Sequence, residues 1–214
     1  MLPTPMTAKS DQDGQLYWDR HAKSYDRAML VLGRPVPRMI ELAAQIVNGR
    51  ERVLEVAAGT GLVTAALARS AREVVATDYA AGMVKVLEER VRAGNLDNVR
   101  CEKADVYSLR FEPASFDAVV AANVLHLVPD LTGALTALIR VLKPGGALVV
   151  PTYCHGETLR SRLASRVLSI TAFPARRRFT SQSLRQAVEA AGVRVTSSQI
   201  LPGLIPIGFV AGVN

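Results

Sequence analysis

Apolar residues change their period repeatedly along this 214-residue chain. Residues 15 to 29 set Trp18, Ala22, Tyr25 and Met29 on one helical face, and Val36, Ile40, Ala43 and Val47 repeat that spacing in a second helix. At Arg52 the pattern changes to short, nearly continuous apolar runs. They are Val53, Leu54 and Val56, then EVVATD (73 to 78), NVRCEKAD (98 to 105), FDAVVAANV (116 to 124) and ALVVP (147 to 151). Helical stripes separate them: the small-residue stretch LVTAALARS, then 80 to 93 with Met83, Leu87 and Val91 inward, and a helix from Asp130 with Leu131, Leu135, Leu138 and Leu142. Strands of this kind alternating with helices predict a doubly wound α/β fold whose parallel sheet is covered on both faces. The last third differs. A basic amphipathic helix from about Glu157 to Ile170 carries Leu159, Leu163 and Val167 beside Arg160, Arg162 and Arg166, and a further helix runs from Ser181 to Ala191. Residues 195 to 214 then read as two uncharged strands around Pro202-Gly203.

Composition places this pattern in a globular class, with 49% hydrophobic and 21% charged residues. We expect one domain over 1–214: an N-terminal helical lid (1–50), a core (51–151), a basic cap (152–180) and a final helix with its strand pair (181–214). Net charge is +7, with 26 Lys and Arg against 19 Asp and Glu. The excess is local, because residues 155 to 194 hold eight basic side chains and two acidic ones. Two cysteines, Cys101 and Cys154, make no disulfide framework, and no Cys/His spacing suggests a metal. The polar opening residues and the broken apolar tail predict a cytoplasmic protein.

In an open parallel sheet, ligands sit beyond the carboxyl ends of the strands at the point where strand order reverses. The residues there form a consistent set. Glu55-Val-Ala-Ala-Gly-Thr-Gly61 supplies glycines where backbone must approach a ligand. Asp78, ending the second strand, suits the two hydroxyls of a ribose, since both carboxylate oxygens accept. Asp105, after the third, suits an exocyclic amine, or else caps a helix. Asn123 to His126 follow the fourth. An adenosine-containing ligand fits these groups, and a dinucleotide fingerprint begins in a similar way.

The succession VLEVAAGTG, TDYAAGMV, KADV, FDAVVAANVLHLV and LKPGG resembles the motifs of class I S-adenosylmethionine-dependent methyltransferases over roughly residues 15 to 150. The resemblance is to small-molecule members of the ubiquinone/menaquinone type. It implies a Rossmann-like, seven-stranded, mostly parallel sheet with an antiparallel C-terminal hairpin, and S-adenosyl-L-methionine as cofactor. It assigns the methionine portion to Glu55, Ala57, Gly59, Thr60 and Gly61, with Asn123 alongside. It gives the ribose to Asp78 and the adenine to Tyr79, Met83, Ala104, Asp105 and Val106. YWDRHAKSYD resembles the opening helix that closes over the cofactor, which adds Tyr17 and Tyr25. One position departs from the pattern: Ala57 stands where the family has glycine, a small change if its backbone is strand-like.

Methyl transfer from a sulfonium asks the protein mainly to hold an acceptor in line and exclude water. Where the acceptor must lose a proton, His126, Tyr153 and His155 are the candidate catalytic groups, each just past a strand. For His126 the alternative is a histidine packed at the start of a loop. The acceptor expected is small and apolar or amphiphilic. The absence of an Asn/Asp-Pro-Pro-aromatic motif and the 5% aromatic content argue against nucleic acid. The arginines of residues 157–178 read as a solvated cap face, as an anion-attracting rim, or as a peripheral contact with an anionic membrane, the last suiting a quinone or phospholipid methyltransferase. A non-catalytic S-adenosylmethionine-binding regulator is the alternative from another class.

Overall fold

The computed structural model describes residues 18–19, 35–168 and 176–214. Tyr17 and Tyr25, and the helix expected around them, fall outside these apart from Trp18 and Asp19.

Five parallel strands form the body of the sheet: β1 (Arg52–Val56), β2 (Glu73–Asp78), β3 (Val99–Lys103), β4 (Phe116–Val120) and β5 (Leu142–Val149). Their order is β3-β2-β1-β4-β5, so the direction of winding reverses between β1 and β4. Beyond β5 lies the antiparallel β8 (Ile207–Val213), which also pairs with β7 (Arg194–Leu201). The expected doubly wound sheet with an antiparallel C-terminal hairpin is therefore present. One short strand is additional: β6 (Thr152–Tyr153) continues the line of β5 along β8. Pro151, which has no N–H to donate, separates the two pieces.

Adjacent residues of each strand point into different apolar layers. Val53, Val74, Ala118 and Val149 join a layer with Met39, Ala43, Leu67 and Leu87. These four come from α1 (Val36–Val47), α2 (Thr64–Ser70) and α3 (Ala81–Ala93). Leu54, Val75, Val119 and Leu148 face the opposite layer with Leu135, Leu138, Leu184 and Val188, carried by α4 (Leu131–Val141) and α6 (Ser181–Ala190). Double-sided burial is why these strands read as unbroken apolar runs. Between β6 and α6 lies α5 (Leu159–Leu168), the helix of the basic cap.

Lys143, whose place in LKPGG suggests a cation solvated at the end of α4, instead pairs with Asp117 at 2.8 Å. The same carboxylate accepts from the Arg52 N–H at 3.0 Å, so it joins the starts of β1 and β4 to β5.

Candidate functional site

The carboxyl ends of β1 and β4 adjoin at the reversal of strand order, and both leave the sheet through left-handed backbone: φ is +56° at Ala57 and +54° at Asn123. Asparagine tolerates this region; alanine does so only with strain. The strand-like backbone expected at Ala57 is thus corrected. The chain needs the left-handed turn that glycine normally provides, and Ala57 makes it against the steric resistance of its methyl group. Replacing Ala57 by glycine is expected to stabilise the protein by about 0.5–1 kcal/mol, since the strain released exceeds the lost half-buried methyl and the freer unfolded chain. A denaturant midpoint that stays put or falls would contradict this.

Farther along the loop, Gly59 and Gly61 also have positive φ, +57° and +84°. They do different work. A Cβ on Gly61 would meet the Leu87 side chain at 2.7 Å, so this glycine lets α3 pack, whereas a Cβ on Gly59 would meet nothing within 4 Å. Gly59 is the one that leaves space open at the cleft. Its N–H donates to Asp78 Oδ2 at 2.9 Å, and the Ala80 N–H donates to Asp78 Oδ1 at 2.9 Å. Asp78, 6% exposed, thereby ties the glycine loop to the end of β2. Burial pushes its carboxyl above the usual aspartate range, against the opposing effect of these backbone donors. The Tyr79 backbone N–H opposes it as well, so three backbone donors meet a carboxylate with about four acceptor sites, and capacity for a ligand hydroxyl remains.

Glu55 lies below the loop, fully buried, and accepts from Thr64 Oγ1 at 2.6 Å. Desolvation pushes it from 4.5 up to about 8, with the Thr64 hydroxyl opposing and Asp78 adding repulsion. Glu55, Ala57, Gly59 and Asn123 line one cleft. Met39 and Val36 of α1 close its side, a contribution that the sequence reading missed because both look like ordinary residues of an apolar stripe. The Asn123 amide reaches Met39 Sδ at 3.6 Å, while its Oδ1 is buried with no hydrogen-bond partner among the described residues. An orphaned acceptor beside an open glycine fits a ligand that brings its own donors.

Thr60 is buried in the loop. On the β2–β3 side, buried Met83 and half-buried Tyr79 pack with Ala80 and Trp18. Asp19 accepts from the Gly82 N–H at 2.6 Å, fastening the opening segment to the first turn of α3. Asp105 is exposed and caps the turn that follows β3, its Oδ1 accepting from the Tyr107 N–H at 3.0 Å. Its neighbours Ala104 and Val106 are half-buried and buried.

His126, from the segment after β4, meets Tyr153, the last residue of β6, and His155, which follows it by two positions. Ring centroids lie 6.0 Å apart for His126 and Tyr153, 5.5 Å for the two histidines, and 6.3 Å for Tyr153 and His155. His126 is 1% exposed and His155 2%. Both ring nitrogens of His155 are buried without a hydrogen-bond partner among the described residues. Burial, aided by the neighbouring His155, pushes His126 down to about 3; His155 is also lowered, by burial first and then by Arg178. Desolvation pushes Tyr153 up to about 12. At neutral pH the cluster is therefore two uncharged imidazoles and a phenol.

The cap is fastened to this cluster. The Arg176 and Arg177 N–H groups donate to the His126 carbonyl at 2.9 and 3.1 Å. The Arg177 guanidinium donates to the Val128 carbonyl and, at 2.7 Å, to that of Pro129. The middle arginine of the three is thus a clasp, which a run of like charges does not reveal. No group of three or more His, Cys, Asp or Glu that could hold a metal occurs among the described residues.

A glycine loop tied to a buried carboxylate lies where the strand order of this doubly wound sheet reverses, the place at which such sheets bind ligands. Comparison with known proteins narrows the class. A family model described as a methyltransferase domain matches residues 54–150. The demethylmenaquinone methyltransferase of Clavibacter sepedonicus is 37% identical over 153 residues, which cover 70% of this chain and 61% of the relative. The demethylmenaquinone methyltransferase of Beutenbergia cavernae is 30% identical over 205 residues, 90% of this chain and 83% of that one. A SAM-dependent methyltransferase from Aquifex aeolicus shares the fold, with a TM-score of 0.71 over 92% of this chain and 98% of that one at 21% identity. The chain belongs to the class I S-adenosylmethionine-dependent methyltransferases, in the ubiquinone/menaquinone branch. It spans about three fifths of the length of the first of these relatives. S-adenosylmethionine is the cofactor of this family, and the orphaned Asn123 oxygen, the open Gly59 and the remaining acceptor capacity of Asp78 fit it.

Proposed function

We propose that this protein methylates a small aromatic acceptor of the quinol type, held against the His126, Tyr153 and His155 cluster. The observation that carries the reading is the meeting of these three buried rings, with His126 three residues along the chain from Asn123 and the His155 nitrogens lacking partners among the described residues. The relatives named demethylmenaquinone methyltransferase support it. When bound, S-adenosylmethionine supplies an electrophilic methyl group on a sulfonium.

The chain's own residues do the rest. Asp78 accepts from the ribose hydroxyls; Asp105, with Ala104 and Val106, meets the adenine amine, and Tyr79 and Met83 pack on the adenine. Glu55, Ala57, Gly59, Thr60, Gly61 and Asn123 hold the methionine portion, with Tyr17 and Tyr25 as lid residues. His126, uncharged at neutral pH but made a weak base by burial, accepts the hydrogen bond of the acceptor's hydroxyl and orients it, while Tyr153 keeps its proton and donates. His155 supports the same acceptor. The chain works as one domain, with the cap over the acceptor side.

Incubation with S-adenosylmethionine and demethylmenaquinol in neutral detergent micelles is expected to yield the methylated quinol. His126→Ala should lower the rate by about a hundredfold, through lost positioning of the acceptor, with cofactor affinity retained. Cofactor binding without turnover of the quinol would overturn this reading and favour a different acceptor or a non-catalytic binder.

A further inference from the structure

The cap helix turns two leucines toward the solvent. Among the described side chains of α5, Ser161 and Ser165 are turned inward, at 0% and 5% exposure, whereas Leu159 is 81% exposed and Leu163 64%. At 100° per residue the outward arc runs Arg162, Arg166, Leu159, Leu163, Arg160, with the serines opposite. The three arginines on this arc are exposed, as are Arg176 and Arg178 close by in the chain. Residues 155 to 178 contain a single acid, Glu157, and its carboxylate is taken by the Ser181 N–H and hydroxyl at 2.6 and 3.2 Å. The charge of this segment is therefore strongly one-sided.

We propose that α5 docks on an anionic phospholipid bilayer, with Leu159 and Leu163 inserted between headgroups and the flanking arginines on lipid phosphates. Charge complementarity selects this occupant. A polynucleotide would use the arginines but leave both leucines in water, and Phe179, the aromatic nearest the arginine run, is buried and offers no base a platform. A second copy of the chain would bring two strongly basic faces together. The inference deepens the quinol reading, since an apolar acceptor resides in the bilayer and the cap is bonded to the His126 carbonyl through Arg176 and Arg177.

The test is sedimentation of the full chain with vesicles of phosphatidylcholine alone or mixed with phosphatidylglycerol, without acceptor or cofactor. Retention is expected only with phosphatidylglycerol, and it should fall as salt rises. Arg160→Gln with Arg166→Gln should weaken partition about thirtyfold. Leu159→Ser with Leu163→Ser should weaken it about a hundredfold. S-adenosylmethionine affinity of each variant reports that the fold is intact. Leu163→Trp provides a second readout, an emission shift to shorter wavelength on anionic vesicles.

Absence of retention by anionic vesicles overturns the proposal, as does retention that ignores the leucines. A dimer dissociated by the leucine variant would overturn it in favour of self-association. Vesicle binding requires no methylation, and the micelle assay requires no anionic lipid, so the failure of one reading leaves the other standing.

Discussion

Asp78→Ala lowers the affinity for S-adenosylmethionine by roughly a hundredfold or more while the sheet stays folded. The carboxylate has the two ribose hydroxyls as its proposed ligands, and a hydrogen bond to a charged group contributes about 1.5–3 kcal/mol. Losing two therefore costs on the order of 10² to 10⁴ in the dissociation constant. The same substitution frees the Gly59 and Ala80 N–H groups, both now bonded to this carboxylate, so the glycine loop loses its tie to β2. Asp78→Asn separates charge from shape. Its amide can accept from one of these two donors but turns an N–H toward the other, so it too should bind weakly. Calorimetry measures the loss, and a denaturant midpoint near that of the parent protein excludes unfolding as its cause. Undiminished binding by Asp78→Ala would remove the ribose assignment.

Much of the site was legible because the sheet is buried on both faces. Continuous runs such as EVVATD mark strands, and a polar residue that ends such a run, as Asp78 does, must sit at a strand's carboxyl end. Ala57 shows where that legibility stops. One side chain in place of another does not disclose a backbone dihedral, and the left-handed turn appears only once β1 and the loop are built. The strand pair beyond β5 was also readable, but not the division at Pro151, because a two-residue β6 is too short to have a period.

The acceptor side was harder to read for a different reason. His126 and His155 stand 29 positions apart, and only the pairing of β4 with β5, and of β6 with β8, brings their rings to 5.5 Å. The cap presented the opposite difficulty. The leucine stripe of α5 is plain in the sequence, yet its direction depends on Ser161 and Ser165 fitting closely beneath the helix. A hydrophobic pattern tells which residues share a face; whether that face meets core or solvent depends on its neighbours.

The ligand-free protein is expected to lose stability as pH rises from about 6.5 to about 8, and Glu55→Gln to remove most of that loss. Glu55 titrates near 4.5 when exposed and at about 8 in the fold. Between those values the native state binds more protons than the unfolded chain, so stability falls with increasing pH. His126 acts with the opposite sign. Its value drops from 6.5 to about 3, so the unfolded chain binds more protons in that interval and stability rises with pH. The two effects oppose one another below 6.5. Above it the Glu55 slope stands exposed, amounting to about 2 kcal/mol over the interval to 8. The amide introduced by Glu55→Gln carries no charge at any pH and can still accept the Thr64 hydroxyl. A cationic cofactor favours the ionised carboxylate, so binding should release a proton below about pH 8 in the parent and not in Glu55→Gln. Unfolding midpoints across pH and calorimetry in buffers of different ionisation enthalpy measure both effects. Parallel pH curves for the parent and Glu55→Gln would show that Glu55 is ionised in the native state and would end this account.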